Sequence, residues 1–264
     1  LEQTNRELNQ KNEDITASIT YASRIQQAIL PTLEQIKTGF TDAFVLFQPR
    51  DLVSGDFYFF NKVGENHILA VSDCTGHGVP GALMSMIGNE LLTEIVGERR
   101  ITEPALILAD LHKGIRKALK QHETDNRDGM DIAIINHNPN TQNLQFAGAK
   151  NHLTYIENDE IKIIKGNSFG IGGEQRETER VFTNHILPTP QITWVYMFSD
   201  GFQDQFGGEN NKKFGLSRLR EKLLAICHET PQHQQTNLLN TFQDWRMEAG
   251  EKQIDDVLIV GVKL

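Results

Sequence analysis

The sequence predicts an α+β fold in which antiparallel sheets carry helices packed on their outer sides, preceded by one long amphipathic helix. Three observations predict it. Short apolar runs of strand length, bounded by turn residues, fall into two groups, one before residue 73 and one after residue 129. The helical stretches come in pairs between and after these groups, which is not a βαβ alternation. Residues 1 to about 37 follow a different rule: no Gly, no Pro before Pro31, and Leu1, Leu8, Ile15, Ala22 and Ile29 at every seventh position.

A single apolar stripe at a seven-residue period is a coiled-coil seam. Its companion positions Thr4, Lys11, Ser18, Ile25 and Thr32 are mostly polar, so the seam predicts a weak parallel dimer. Pro31 ends or kinks this helix, and a second short helix follows before Gly39. Residues 1–37 are therefore expected as a regulatory linker and residues 38–264 as the main domain. Strands are predicted at 44–47, 56–60 and 67–72. A helix over about 80–96 follows from Leu83, Ile87, Leu91 and Ile95, and a second over about 103–122 from Leu108, Leu111, Ile115 and Leu119. Strands resume at 130–136, 144–147, 153–157 and 161–165, with Asn158-Asp159 as a hairpin turn. Further strands are expected at 179–185 and 193–199, helices at about 216–228 and 231–249, and a closing strand at 257–263.

The bulk numbers narrow the function. A chain of 264 residues buries a substantial core. Its net charge of -9, with no basic run longer than two residues, argues against a nucleic-acid partner. Two cysteines, Cys74 and Cys227, argue for a reducing compartment, hence a cytoplasmic location, and against a disulfide framework. No stretch is apolar enough to span a bilayer and no signal peptide is visible, so no membrane contact is expected from these residues. The chain begins at Leu1 within a helical pattern, as a piece of a longer protein would, and a sensor or membrane segment could lie upstream.

Four aspartates carry the chemistry. Asp56 lies in Ser54-Gly55-Asp56-Phe57-Tyr58, and Asp73 in Ser72-Asp73-Cys74-Thr75-Gly76-His77-Gly78. Asp200 lies in Phe198-Ser199-Asp200-Gly201-Phe202, and Asp255 in Asp255-Asp256-Val257. A carboxylate beside an apolar strand is costly unless paired, and four together repel unless a cation lies between them. Hard divalent cations take such oxygen ligands, so the pattern reads as a two-metal hydrolytic site. The glycine turn after Asp73 leads into a helix start, whose amides suit a phosphate. Each motif alone is weak; their joint occurrence is the signal.

These four motifs, in this order, resemble those of the metal-dependent (PPM, type 2C) protein serine/threonine phosphatases, in particular the bacterial SpoIIE-like or RsbU-like branch. The resemblance runs from about residue 40 to the C-terminus, and Arg24-Ile25-Gln26-Gln27-Ala28-Ile29-Leu30-Pro31 is similar to the linker leading into that domain. It implies a β-sandwich of two antiparallel sheets flanked by helices, with two magnesium or manganese ions at one end. It implies that Asp56 and Asp73 bind metal, with Asp73 bridging, joined by the backbone carbonyl of Cys74, and that Asp200 and Asp255 complete the second ion's shell. It implies hydrolysis of phosphoserine or phosphothreonine by metal-activated water without a phosphoenzyme. The implied substrate is a phosphorylated regulatory protein, such as an anti-sigma factor antagonist.

Several residues depart from the pattern or compete with it. His77 is expected to bond the start of the following helix rather than act as an acid. Asp131 stands where the family has a small hydroxyl residue, and reads either as support for a further metal or as a turn carboxylate. Leu258 stands where many members have Thr, which affects packing. Asp256 is expected to face solvent or cap its turn; Asp204 and Asp51 are expected to be peripheral. Gly166-Asn167-Ser168-Phe169-Gly170 matches a nucleophile-elbow pattern, but Gly172 and Gly173 follow instead of a helix, so a loop shaping the substrate side is expected. Two other functions remain open at this point: a catalytically degenerate dimeric signalling scaffold, and a two-metal hydrolase of small phosphate esters.

Overall fold

The computed structural model describes every residue except Leu1, Arg176 and Thr178. Helix α1 (Glu2–Ile29) is the predicted linker helix, and the break at Pro31 follows it. Thr32 then caps α2 (Leu33–Lys37) in a reciprocal box: its hydroxyl accepts from the Gln35 amide at 3.2 Å, and Gln35 accepts from the Thr32 amide at 2.7 Å. Of the seam, Leu8 and Ile15 are more than half exposed, Ala22 is exposed and Ile29 is half-buried; Leu1 lies outside the described residues.

Two sheets form the centre, and every pairing within them is antiparallel. The first contains β1 (Asp42–Gln48), β6 (Leu153–Glu157), β7 (Glu160–Ile164), β10 (Ile192–Phe198) and β13 (Val257–Lys263), ordered β1-β13-β10-β6-β7. The second contains β2 (Phe57–Val63), β3 (Asn66–Cys74), β4 (Gly129–Asn138), β5 (Asn143–Ala149) and β9 (His185–Pro188) in that order, with β8 (Ile171–Gly172) on β4. On β3, Leu69 and Val71 point to the other sheet and meet Val195, Met197, Leu258 and Val260. Ile68 and Ala70 point the other way, toward Ile107, Leu108, Leu111 and Ile115 of α4 (Pro104–Ala118). Helix α3 (Gly78–Leu92) lies on the same outer side and continues into one π-helical turn, Thr93–Glu98.

The first sheet is covered likewise. Phe44, Leu46, Tyr196 and Ile259 pack against α6 (Leu216–Ile226) and α7 (Pro231–Glu248). A short helix α5 (Gly201–Asp204) and the two-residue strands β11 (Phe206–Gly207) and β12 (Lys212–Lys213) fill the link from β10 to α6. The result is four layers, helices–sheet–sheet–helices. Because both faces of each sheet are buried, the central strands read as continuous apolar runs rather than alternating ones. Each fully buried Leu, Ile or Val contributes roughly 1.5–3 kcal/mol.

The predicted sandwich, the long N-terminal helix and the hairpin at Asn158-Asp159 are all present. Asn158 and Asp159 have φ of 51° and 61°, as a two-residue turn of this hand requires. Three expectations shift. The helix from residue 103 stops at Ala118, because Lys120 turns into the left-handed region at φ 50°. The strand expected over 179–185 begins only at His185. Upstream of it the chain is tied elsewhere: Arg180 is buried and donates to the carbonyls of Gly170 (2.7 Å), Gly172 (3.2 Å) and Glu174 (2.9 Å), and pairs with Glu177. Finally, β8, α5 and the β11–β12 hairpin are too short to leave a periodic pattern. Among the described residues, no helix is long and apolar enough to cross a membrane.

Candidate active site

The antiparallel order places the four aspartates at one end of both sheets. Asp56 precedes β2 and Asp73 lies near the end of β3, where Phe57 pairs with Ser72. Asp200 follows β10 and Asp255 precedes β13, where Phe198 pairs with Ile259. Hydrogen bonds join the sheets at this end. The Ser199 hydroxyl donates to Asp56 Oδ2 at 2.5 Å, and the Gly55 amide donates to Asp256 Oδ2 at 2.7 Å. Glycine makes the approach possible: a Cβ on Gly55 would stand 2.4 Å from the Gly76 carbonyl oxygen, and one on Gly201 would stand 1.9 Å from that of Asp256.

A cavity of about 230 Å³ opens there, lined by Asp73, Asp131, Asp200, Asp255, His77 and Lys150, with the Gly76 turn and the start of α3 at its edge. Asp56 is buried behind it. Burial pushes the Asp73 carboxyl up to about 8, helped by the charges of Asp200, Asp255 and Asp131. Burial, then Asp73, raises Asp56 well above the usual carboxylate range, against the pull of the Ser199 hydrogen bond. Asp200 is raised by burial and by Asp204 and Asp255. Asp131 is raised by burial, against the lowering effect of Lys150, whose Nζ lies 3.2 Å away.

This donor set consists of oxygens, and burial, then neighbouring charge, raises Asp56, Asp73 and Asp200 above the ordinary carboxylate range. It suits a hard divalent cation, which would relieve the repulsion. Among the described residues no three His, Cys, Asp or Glu side chains are already closed into a metal cluster. Magnesium, which keeps several waters, does not require that closure.

The remaining candidates separate clearly. Asp131, left open by the sequence, lines the cavity and pairs with Lys150. Asp256 does not face solvent; it is buried and caps backbone, accepting from the amides of Arg50 and Gly55 at 2.7 Å each. His77 stands at the start of α3 but makes no capping bond; its Nδ1 lies 3.1 Å from Asp51 Oδ2. That pairing also accounts for Asp51. Asp204 binds Lys213 at 2.7 Å, and Leu258 is fully buried packing. Residues 166–170 form no elbow: no helix follows them, and Ser168, Phe169 and Gly170 line a second cavity beside the first.

Two residues escaped the sequence reading. Gln26 is the buried polar residue of α1, and its amide donates to the Ser54 carbonyl (2.6 Å) and Ser85 Oγ (2.8 Å) while accepting from the Ser54 amide (3.0 Å). It thus ties the linker helix to the turn that carries Asp56. Its only sequence signal was a place in the linker motif. Lys150 had none, since it follows an ordinary strand.

Known proteins show the same architecture. Residues 64–264 match the Stage II sporulation protein E (SpoIIE) family, a span that begins after Asp56. The phosphoserine phosphatase RsbU of Bacillus subtilis (strain 168) is 26% identical over 195 residues, covering 72% of this chain and 54% of that protein. The chain therefore spans about half the length of that curated relative. The SiaA-PP2C domain of Pseudomonas aeruginosa superposes with a TM-score of 0.85 at 30% identity, over 96% of this chain and 98% of that one. RsbX in complex with magnesium shares the fold at 13% identity and a TM-score of 0.55, over 84% of this chain and 94% of that one. With most of its length matched, and with the sandwich and its acidic end in place, the chain belongs to the SpoIIE family and carries its PP2C-type phosphatase domain.

Proposed function

We propose that the chain hydrolyses phosphoserine or phosphothreonine on a regulatory protein in bacterial signalling, in a magnesium- or manganese-dependent reaction. The observation that carries this reading is the gathering of Asp56, Asp73, Asp200 and Asp255 at one end of the sandwich, where burial and neighbouring charge oppose the ionisation of Asp56, Asp73 and Asp200. Asp56, Asp73, the Cys74 carbonyl, Asp200 and Asp255 would hold two ions. When bound, such ions neutralise phosphate charge and make a water nucleophilic near neutral pH. The chain's own groups supply orientation. Ser199 fixes one oxygen of Asp56, and Asp256 holds the amides of Arg50 and Gly55 so that the Asp56 turn keeps its shape. A cysteine phosphoenzyme is disfavoured: Cys74 is buried and burial pushes its thiol well up, so it is no thiolate.

The relatives suggest the setting. RsbU is a phosphoserine phosphatase, which supports a phosphorylated partner of the anti-sigma factor antagonist type. Free, buried Cys74 and Cys227 fit a reducing, cytoplasmic location. Residues 1–37 would act as a linker to an upstream sensor and pair with a second copy along the exposed Leu8, Ile15 and Ala22 seam. Ile15→Asp should then shift the protein toward monomer in sedimentation and change turnover; no change in either would end the dimer reading. The complete set of aspartates speaks against the degenerate-scaffold alternative.

The deciding experiment is phosphate release from a phosphoserine protein and from a small aryl phosphate, with manganese and with a chelator. Manganese-dependent release favouring the phosphoprotein supports the reading. Release from the small ester alone favours the small-ester hydrolase, and release from neither favours the scaffold.

A further inference from the structure

Resting on the phosphatase reading above, we propose that Lys150 is the side chain that grips the substrate phosphate. A phosphomonoester is an anion, and a positive group from the chain at the entrance would catch and orient it beside the ions that the carboxylates would hold. Among the described residues lining the carboxylate cavity, Lys150 is the one Lys or Arg. The other nearby cations are engaged. Arg50 donates to the Ile254 carbonyl at 3.0 Å. Arg180 is buried among the carbonyls of Gly170, Gly172 and Glu174. Arg127, in the second cavity, donates to the carbonyls of Thr124 and Asn126.

Lys150 is differently placed. Its side chain is 54% exposed, and its described ion pair is the one to Asp131 at 3.2 Å. An ammonium has three donors on a flexible stem, so it can take a phosphate oxygen without leaving Asp131. Its backbone fixes where the side chain starts. Lys150 has φ of 57°, a left-handed conformation that a residue with a long side chain adopts at a cost. The turn is fixed by the Lys150 amide donating to the Asn167 carbonyl at 2.8 Å and by Asn151 Nδ2 donating to the Asp131 carbonyl at 3.2 Å. The fold thus holds a strained lysine at one point of the cavity wall.

That point is a junction. Lys150 lines both the carboxylate cavity and the adjoining one of about 380 Å³, whose wall includes Arg127, Ser168, Phe169 and Gly170. A phosphorylated side chain entering from the second cavity meets the ammonium, paired there with Asp131, before it reaches Asp73, Asp200 and Asp255. The bland alternative is that Lys150 only neutralises Asp131.

The test uses the full chain loaded with manganese, with inorganic phosphate as the probe. Lys150→Met keeps the stem and the backbone strain but removes the charge. It should weaken phosphate binding by calorimetry roughly 10–100-fold, the loss of one charge-assisted contact. For the phosphoprotein, the rise in KM should exceed the fall in kcat, and Lys150→Arg should retain most of the phosphate affinity. Unchanged phosphate affinity in Lys150→Met overturns the proposal. So does recovery of that affinity when Asp131→Asn is added, because the lysine then served only to neutralise Asp131. An unsubstituted protein that releases no phosphate from a phosphoprotein would instead count against the phosphatase reading, with the calorimetry still deciding Lys150.

Discussion

Strands β3 and β4 run side by side and carry a pair of like ionisable groups at each end of one ladder. At one end Asp73 faces Asp131; at the other, His67 faces His137. The same burial acts on both, with opposite signs. It raises the aspartates and lowers the histidines. The histidines settle the conflict alone, by staying neutral. His137 lies 3.0 Å through Nδ1 from the Gly39 carbonyl and stacks on Phe40, while His67 stacks on Phe60. The aspartates reach neutrality only by holding protons far above their ordinary range, because burial and then the neighbouring carboxylates oppose their charge. A pair that is neutral in its ordinary form is packing; a cluster that must hold protons to be neutral is a place where a cation can replace them.

The sharpest way to break this contrast is to neutralise one member of the acidic end. Asp73→Asn should lower phosphoprotein turnover by at least about 10²–10³-fold, the scale on which a single preorganised charge contact acts. The fold should persist, since the amide has nearly the same shape. Turnover within a few-fold of the unsubstituted protein at saturating manganese would remove Asp73 from the mechanism.

The next effect is on stability. Asp73 titrates at about 8 in the folded metal-free chain, against 3.8 when free. Between those values the native state binds a proton that the unfolded state lacks, so stability falls as pH rises through the window. Metal-free protein should therefore melt at a lower temperature at pH 8 than at pH 5.5, with a shallower slope in Asp73→Asn. Manganese or magnesium at a hundredfold its Kd should restore about 2.7 kcal/mol by mass action, with most of the benefit at the higher pH. A melting temperature indifferent to both metals would mean that no preformed site exists.

A smaller effect tests whether the acidic end reaches into the linker. Gln26→Leu leaves the Ser54 amide without its buried side-chain partner and the Ser54 carbonyl with only a 3.4 Å contact from the Ser85 hydroxyl, which still donates to the Ala82 carbonyl at 2.8 Å. Each such loss costs about 1–3 kcal/mol. Ser54 neighbours the turn that carries Asp56, so manganese affinity should fall together with stability. Calorimetry showing full manganese affinity in a destabilised Gln26→Leu protein would make the contact purely structural.

Gln26 also marks where sequence reading stopped. The acidic end was legible because each aspartate sits beside a strand, and because Gly55, Gly76 and Gly201 punctuate it at fixed offsets. Layered antiparallel sheets with outer helices were legible from strand-length apolar runs and paired helical stretches; the two-sheet sandwich itself was implied by the family resemblance. Gln26 was not legible, because the heptad in α1 advertises Leu8 and Ile15, which face outward, while the docking contact uses one polar residue. Lys150 was hidden because a lysine after a strand is ordinary; only its place on the cavity wall and its Asp131 neighbour single it out. The loop before β9 was misread because Val181 and Phe182 look like strand, whereas buried Arg180 binds the carbonyls of a distant turn.

The smallest expected effect lies at the histidine end. Burial lowers both His67 and His137 below the ordinary value of 6.5. There the unfolded chain takes up protons before the folded one does, so the stability given by neutral histidines is complete above about pH 6.5 and is lost as pH falls below it. Neither ring nitrogen of His67 has a hydrogen-bond partner in its buried site, and its ring is stacked on Phe60. His67→Phe keeps the ring and removes both the unpaired nitrogens and the titration. It should raise stability by about 1 kcal/mol, since an unsatisfied buried polar group costs on that order. The gain should be larger at pH 5.5 than at pH 7.5, and manganese-dependent turnover should be unchanged, since the residue sits at the opposite end of β3. A gain independent of pH would show that His67 does not titrate on unfolding. A change in turnover would show that the two ends of the ladder are coupled, and the distinction between packing and site would fail.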